Sequence, residues 1–440
     1  MLSKQSGSKL LAGLIFVVVS TSVYWAQAPG PVFQISDDDF GLDFQSHERP
    51  HIAAGTNGRF VVAWENSGDD GYGYVNQIAR VRSFEAPDTP AGPGFRAGFS
   101  DGYNQPPDID SYLDPEDIAI NDDGEFAVVW SENTNRPGHN EVRIRVFDAM
   151  GDPVFFRYFE VSEPRDYDDL RFFARSSLTT DSNGDFLVVW DAGFPSTAGR
   201  RLLQRRIEPD GTLPGDEMPV ATAALPSQTD AELARISNLG HVAVWADSSS
   251  GAGDVKGRRF AADGTPLGSE FDLAVETTGV QRAPAVAAQE NGAFLTVWEH
   301  FAVGAQQIMG RLFDPSGTPL GPEIALDESA TGLAIQPQVT AIPGNGGFVV
   351  TWQRDTDPPR VFVRQILPNG RPAAPPEAVG VDATEQSNPD VAALDNGQFV
   401  VVWDDSPSLS DVFGQAHPTR TLFLDGFESG NLDAWSATIP

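Results

Sequence analysis

The amino-acid sequence predicts an all-β, seven-bladed β-propeller with four-stranded blades, in which an amino-terminal strand closes the last blade. Three observations lead there. Seven of the nine Trp (Trp64, Trp130, Trp190, Trp245, Trp298, Trp352 and Trp403) each end a short apolar run, and they follow one another at intervals of 51 to 66 residues. Asn-Gly or Asp-Gly turns precede six of the seven runs. The two ends of the chain are out of phase with the repeat, so that one supplies the strand the other lacks. Repeats of this length, each a small sheet that cannot bury its own faces, fit a propeller.

Composition agrees with one repeated design. The 440 residues include 43 Gly and 34 Pro for turns, with 40% hydrophobic residues to fill a core. Nine Trp and 28 Phe exclude a disordered or collagen-like chain. The absence of Cys excludes a disulfide framework, a thiolate metal site and a cysteine nucleophile. With 29 basic against 62 acidic residues the net charge is −33. No nucleic-acid partner is expected, because that binding needs a surplus of Lys and Arg.

Residues 1–28 read as a secretory signal. Lys4 and Lys9 precede an apolar run over 10–19, followed by small residues and Ala26-Gln27-Ala28. Pro29 hinders a cut after Ala28, and Ser22 is the fallback site. An apolar run of ten residues is too short to span a bilayer, which takes about 20. The expected mature protein is therefore exported, secreted or held at the bacterial cell surface, with no transmembrane segment.

Residues 29–420 form the propeller, and each blade is read in strand order. The first strand is marked by an apolar residue twelve positions before Trp, at Ile52, Ile118, Leu178, Leu233, Val286 and Val391; an added Gly moves Val339 to thirteen. A small residue follows each of them (Ala53, Ala119, Thr179, Ala234, Ala287, Thr340 and Ala392), as suits an inner strand where sheets converge on one axis. The Gly of the next turn supplies positive φ for a tight hairpin. The second strand, such as Phe126-Ala127-Val128-Val129 before Trp130, is apolar on both faces and belongs between neighbouring sheets. Repeat four is irregular, with Leu239-Gly240-His241 where the others have Gly-x-Phe.

The third strand carries Arg two positions before an apolar residue, at Arg82, Arg145, Arg205, Arg258, Arg311 and Arg364, with Gln415 in repeat seven. One Arg per blade is spread around a ring, so a structural ladder is expected, with Glu65, Asp191, Glu299 and Asp404 as its acidic partners. A Gly-Pro turn leads to the fourth strand. Gly30-Pro31-Val32-Phe33-Gln34-Ile35 resembles the fourth strand at 321–326, while repeat seven stops after its third. Closure by the amino-terminal strand follows, which removes open sheet edges.

The unit Gly292-Ala293-Phe294-Leu295-Thr296-Val297-Trp298, with Gly310-Arg311-Leu312-Phe313-Asp314 and Gly317-Thr318-Pro319-Leu320-Gly321, resembles a repeat of large secreted bacterial proteins that carry hemolysin-type calcium-binding modules. The resemblance spans about residues 29–418 and implies an extracellular propeller-like array without specifying a reaction. The nonapeptide calcium repeats of those proteins are absent, and so is the sialidase Asp-box. Residues 421–440, with Asp425-Gly426-Phe427-Glu428-Ser429-Gly430, resemble a carboxyl-terminal tail of secreted proteobacterial proteins, which implies a sorting segment; the alternative is an edge strand or a frayed end.

Function is expected on the loops between blades and between second and third strands, which share one face. They are longest at 36–50, 66–76, 100–115 and 162–177. The candidate ligand-binding residues there are Asp37, Asp38, Asp39, Asp69, Asp70, Tyr72, Tyr74, Tyr103, Tyr112, Asp166, Tyr167, Asp168 and Asp169. Several readings stand side by side. The carboxylates are either simply a solvated surface or oxygen donors to Ca2+, the candidate cofactor, although neither acidic run completes a loop motif. Tyr and Asp together also suit a sugar or a cationic partner, and paired carboxylates suit glycoside hydrolysis. His47 and His51 have helical spacing, but Pro50 between them argues against a helical zinc pair. The main expectation is a monomeric, non-catalytic module that binds an extracellular protein or carbohydrate. The alternative is a carbohydrate-active hydrolase or lyase using carboxylates on the same face.

Overall fold

The computed structural model describes residues 28–37, 43–69, 75–98, 112–133, 140–155, 158–162, 173–194, 199–222, 228–249, 253–276, 278–302, 305–328, 332–380, 384–406 and 410–419. These form seven antiparallel sheets arranged around one axis, a seven-bladed β-propeller. Residues 1–27 and 420–440, hence nearly all of the signal and tail readings, lie outside the described residues.

Blade five shows the plan. Val280–Ala288 lies innermost, followed outward by Phe294–Ala302, Ala305–Phe313 and the short Ile324–Ala325. Blade one has an extra pairing, because both Thr89–Pro90 and Phe95–Arg96 meet the third strand, Val75–Ala86. Blade seven is Glu385–Ala393, Gln398–Ser406 and Asp411–Pro418, completed by Val32–Gln34 at the other end of the chain. There Val32 pairs with Gln415 and Gln34 with Phe413, and Phe33 and Ile35 are buried, so the expected closure is the observed one.

Each core lies between two blades. All seven repeat Trp are buried, each packed with apolar residues of its own blade and a neighbour's. Where the second strand starts and the third ends, aromatic rings stack: Phe60 on Phe84 at 4.8 Å, Phe126 on Phe147 at 4.9 Å and Phe294 on Phe313 at 5.2 Å. The irregular repeat four keeps this geometry, since His241 stacks on Phe260 at 5.0 Å and donates to or accepts from Gln204 at 2.8 Å. His417 does the same against Phe399 in blade seven.

The Arg ladder is structural, but its partners differ from expectation. Arg311 donates through Nη1 to the Leu273 carbonyl of the preceding blade at 3.2 Å and through Nε to Gly321 of its own at 3.3 Å. Arg82, Arg205 and Arg364 make the same two bonds, to Ile35 and Gly92, Val161 and Gly215, and Leu326 and Ala374. The guanidinium fork thus pins each outer strand to the next blade. In blade seven Gln415 substitutes, donating to Gly30 O and accepting from Gly380 N. The acids after Trp serve another seam: Glu299 accepts from Gln336 N at 2.8 Å and Asp404 from Arg49 N at 3.0 Å, each reaching the next blade's inner strand.

Turn chemistry is also sharper than expected. Both residues of Asn57-Gly58 have positive φ, whereas in four other turns, at Gly124, Gly184, Gly292 and Gly397, only the Gly does. In repeat six Gly344, Asn345 and Gly347 do so, and Gly346 does not.

Candidate functional site

The inner strands of all seven blades carry a β-bulge opposite the blade's Trp. Just beyond it, the residue thirteen positions before Trp (fourteen in blade six) takes the same place in each: His51, Asp117, Ser177, Glu232, Ala285, Gln338 and Asp390. The axis between these strands is a cavity of about 300 Å³ lined by His51, Glu116, Asp117, Glu232, Gln338 and Asp390 together with the small and apolar residues that follow them.

Polar residues belong here because an inner strand is a sheet edge, whose outward N–H groups have no strand partner. Asp117 accepts from Ile118 N in its own strand and from Leu178 N in the next blade, both at 2.7 Å. Asp390 accepts from Val391 N at 2.7 Å and, across the ring closure, from Ile52 N at 2.9 Å. Ser177 accepts from Leu233 N at 3.3 Å and donates to Glu232 Oε2 at 3.4 Å. Of these polar residues, Glu232 alone has no backbone amide at its carboxylate in this network. His51 Nδ1 lies 4.0 Å from Asp390.

The electrostatics separate these groups. Burial pushes Asp117 up to about 6, although the Leu178 and Ile118 amides and the Ser177 hydroxyl pull the other way. Burial raises Asp390 to about 7, helped by the charge on Asp117 and opposed by the Ile52 and Val391 amides. Glu232 is pushed well above the carboxylate range by burial, then by the charges of Asp117 and Asp390. His51 is lowered to about 4 by burial and then by Arg49 and Arg175. Side chains here are not sealed from water, since Asp390 keeps 17% of its exposure and His51 23%. Near pH 7, then, Asp117 is mostly ionised and His51 is neutral, while Glu232 is biased toward its protonated form. One channel thus holds a carboxyl biased toward its acid form and another that ionises more readily, a combination suited to general acid and base chemistry. Among the described residues no three His, Asp or Glu gather closely enough to hold a metal ion.

Of the candidate residues read from the loops, Asp37 is described, and it is a latch. Its carboxylate takes the buried Arg80 guanidinium at 2.8 Å and the Gly94 amide at 2.7 Å, tying the closing strand to blade one. Asp69 and Tyr112 stand on strands Phe60–Asp69 and Tyr112–Ile120, their side chains outside the described residues. Asp38, Asp39, Asp70, Tyr72, Tyr74, Tyr103, Asp166, Tyr167, Asp168 and Asp169 lie outside the described residues. The channel acids were missed because they are scattered through the sequence. Reading the repeats down the column thirteen before Trp would have found them.

No protein-family model matches the chain, and no curated protein matches it. Solved structures do resemble it. A protein of unknown function from Dyadobacter fermentans superposes with a TM-score of 0.52 at 12% identity, covering 88% of this chain and 99% of that one. The GH93 α-L-arabinofuranosidase of Fusarium graminearum in complex with arabinobiose superposes with a TM-score of 0.50 at 10% identity, covering 89% and 98%. The same Fusarium enzyme with an iminosugar inhibitor gives 0.50 at 10% identity over the same shares. At such identities the likeness establishes the propeller fold.

Proposed function

We propose that this protein is an exported carbohydrate-active propeller that hydrolyses a glycosidic bond at its central channel, with Glu232 as proton donor. The observation that carries the reading is the placing of Glu232 and Asp117 in one axial cavity with unlike surroundings: burial and two acidic neighbours push Glu232 well above the carboxylate range, while the Ile118 and Leu178 amides cap Asp117 and favour its ionised form. Glycoside hydrolysis needs one carboxyl to protonate the leaving oxygen and a second, ionised, to act as nucleophile or to activate water. Glu232 fits the first role and Asp117 the second. The resemblance to a propeller arabinofuranosidase supports the class of chemistry without assigning a substrate.

The test is turnover of a panel of neutral and acidic polysaccharides by the wild-type chain and by Glu232→Gln. The expected outcome is release of reducing ends by the wild type and a loss of at least about 100-fold in the variant, the lower end of what general acid catalysis contributes. The rate should rise as pH climbs through about 6, where Asp117 ionises, and fall again at the higher pH where Glu232 loses its proton. Retained glycan binding without turnover in the wild type would leave a non-catalytic carbohydrate-binding module instead.

A further inference from the structure

Above the channel acids, the seven bulges set a ring of residues at one level. Six of them hold non-glycine residues in the left-handed region: Arg49 at φ 52, Arg175 at 59, Asp230 at 55, Ala283 at 46, Gln336 at 53 and Asn388 at 48. That backbone favours glycine, because a Cβ crowds its own carbonyl there. The chain uses glycine freely at positive φ in its hairpins, as at Gly124, Gly184 and Gly292. In the ring it keeps side chains instead, at a cost in backbone strain, and strain of this kind gathers where a side chain serves binding.

Two of these side chains are arginines on one arc of the rim, in blades one and three. Arg49 is 50% exposed and touches Glu65 at 3.4 Å through Nη1; Arg175 is 66% exposed and touches Asp230 at 2.8 Å through Nη1. Both guanidiniums lie close enough to His51 in the channel to act on it through space. In a chain of net charge −33 with acids lining the axis, half-exposed arginines stand at three of the bulges, Arg49, Arg175 and, held by Glu299 at 2.8 Å, Arg282 in blade five. An Arg fork suits a carboxylate in a way that a sugar hydroxyl does not require.

We propose that Arg49 and Arg175 bind the carboxylate of an acidic sugar, so that the channel mouth selects a uronate-bearing glycan over a neutral one. This rests on the carbohydrate reading above and not on hydrolysis. Between them, Arg49 and Arg175 hold the charged ring at the channel mouth. Of the remaining rim positions, Asp230 holds Arg175 and Ala283 is apolar, while Gln336 and Asn388, in blades six and seven, are joined by a 2.8 Å hydrogen bond and offer neutral polar contacts.

The experiment is calorimetric titration of the full chain carrying Glu232→Gln with trigalacturonate and with an uncharged galactose trisaccharide. Tighter binding of the uronate, by 10-fold or more, is expected, with a loss of at least 10-fold for Arg49→Gly or Arg175→Gly and little change for the neutral sugar. Arg175→Gly should melt no lower than its parent, since glycine relieves the left-handed backbone; if it does melt lower, Arg175→Gln, which keeps a side chain, is read for binding in its place. Equal affinity for the two sugars, no binding of the uronate, or an unchanged uronate affinity in both Arg variants would overturn the proposal. Uronate binding by a wild type that turns over nothing leaves it standing and removes hydrolysis. Turnover of neutral glycans with no uronate preference does the reverse.

Discussion

His417 shows how one side chain can be read from its neighbours in the repeat. It fills the place that Phe84, Phe147 and Phe313 fill in other blades, stacked 5.1 Å from Phe399, and burial lowers it to about 4. A histidine lowered in the folded state contributes stability above its unfolded value, near 6.5, that is lost as pH falls toward the folded one. His417→Phe should therefore stabilise the protein by roughly 2 kcal/mol at pH 5 and by much less at pH 8, as read from urea titrations at the two values. No gain at pH 5 would mean that this ring is not the neutral aromatic substitute it resembles. At this scale the sequence was informative wherever a residue repeats, as the seven buried Trp do. It was silent where one column changes chemistry from blade to blade, as at His51, Asp117, Ser177 and Glu232.

The third strands carry the second lesson. Their Arg column was legible as a ladder, but its partners were not, because a guanidinium accepts carboxylates and backbone carbonyls alike as partners. The structure gives it carbonyls of two blades, with the ring of Phe313 lying 5.5 Å beneath Arg311. Arg311→Ala leaves the Leu273 and Gly321 carbonyls without this donor and should cost about 2 to 4 kcal/mol. Arg311→Lys, a point charge without the fork, should recover only part of it. A denaturant titration in which Arg311→Ala loses less than about 0.5 kcal/mol would show that the staple is ornamental to the seam. The inner strands teach the complementary point: the acids after Trp, Glu299 and Asp404, were expected to pair with those Arg and instead cap the next blade's bulge, where an unpaired amide has greater need of an acceptor.

For the whole molecule, the closing strand decides whether seven blades make a ring. Val32–Gln34 covers the edge of Asp411–Pro418, and Asp37 and Ser36 extend the latch, to Arg80 and to Asp411, which also holds His47 at 3.1 Å. A chain beginning at Gln45 lacks this strand and exposes the outer edge of blade seven. It is expected to self-associate and to melt at least about 10 °C lower, an effect of several point mutations combined. Light scattering and thermal unfolding against the chain beginning at Ala28 check this, and unchanged scattering with equal stability would contradict closure as the source of order.

The sequence by itself determined the blade count, the order of strands within a blade, the closure and the buried Trp, because those follow from local periodicity and turn chemistry that recur seven times. Only the tertiary structure decided what meets on the axis. Glu232, Asp117 and Asp390 stand more than a hundred residues apart from one another in the chain, and although each lies thirteen residues before its blade's Trp, that column changes chemistry from blade to blade and does not say that they meet. Ring closure brings their strands, from blades two, four and seven, around one axis, partly buries their carboxyls and sets each one's charge by the others. Proton affinity in such a cluster depends on through-space distance and burial, and these exist only once the chain has closed on itself.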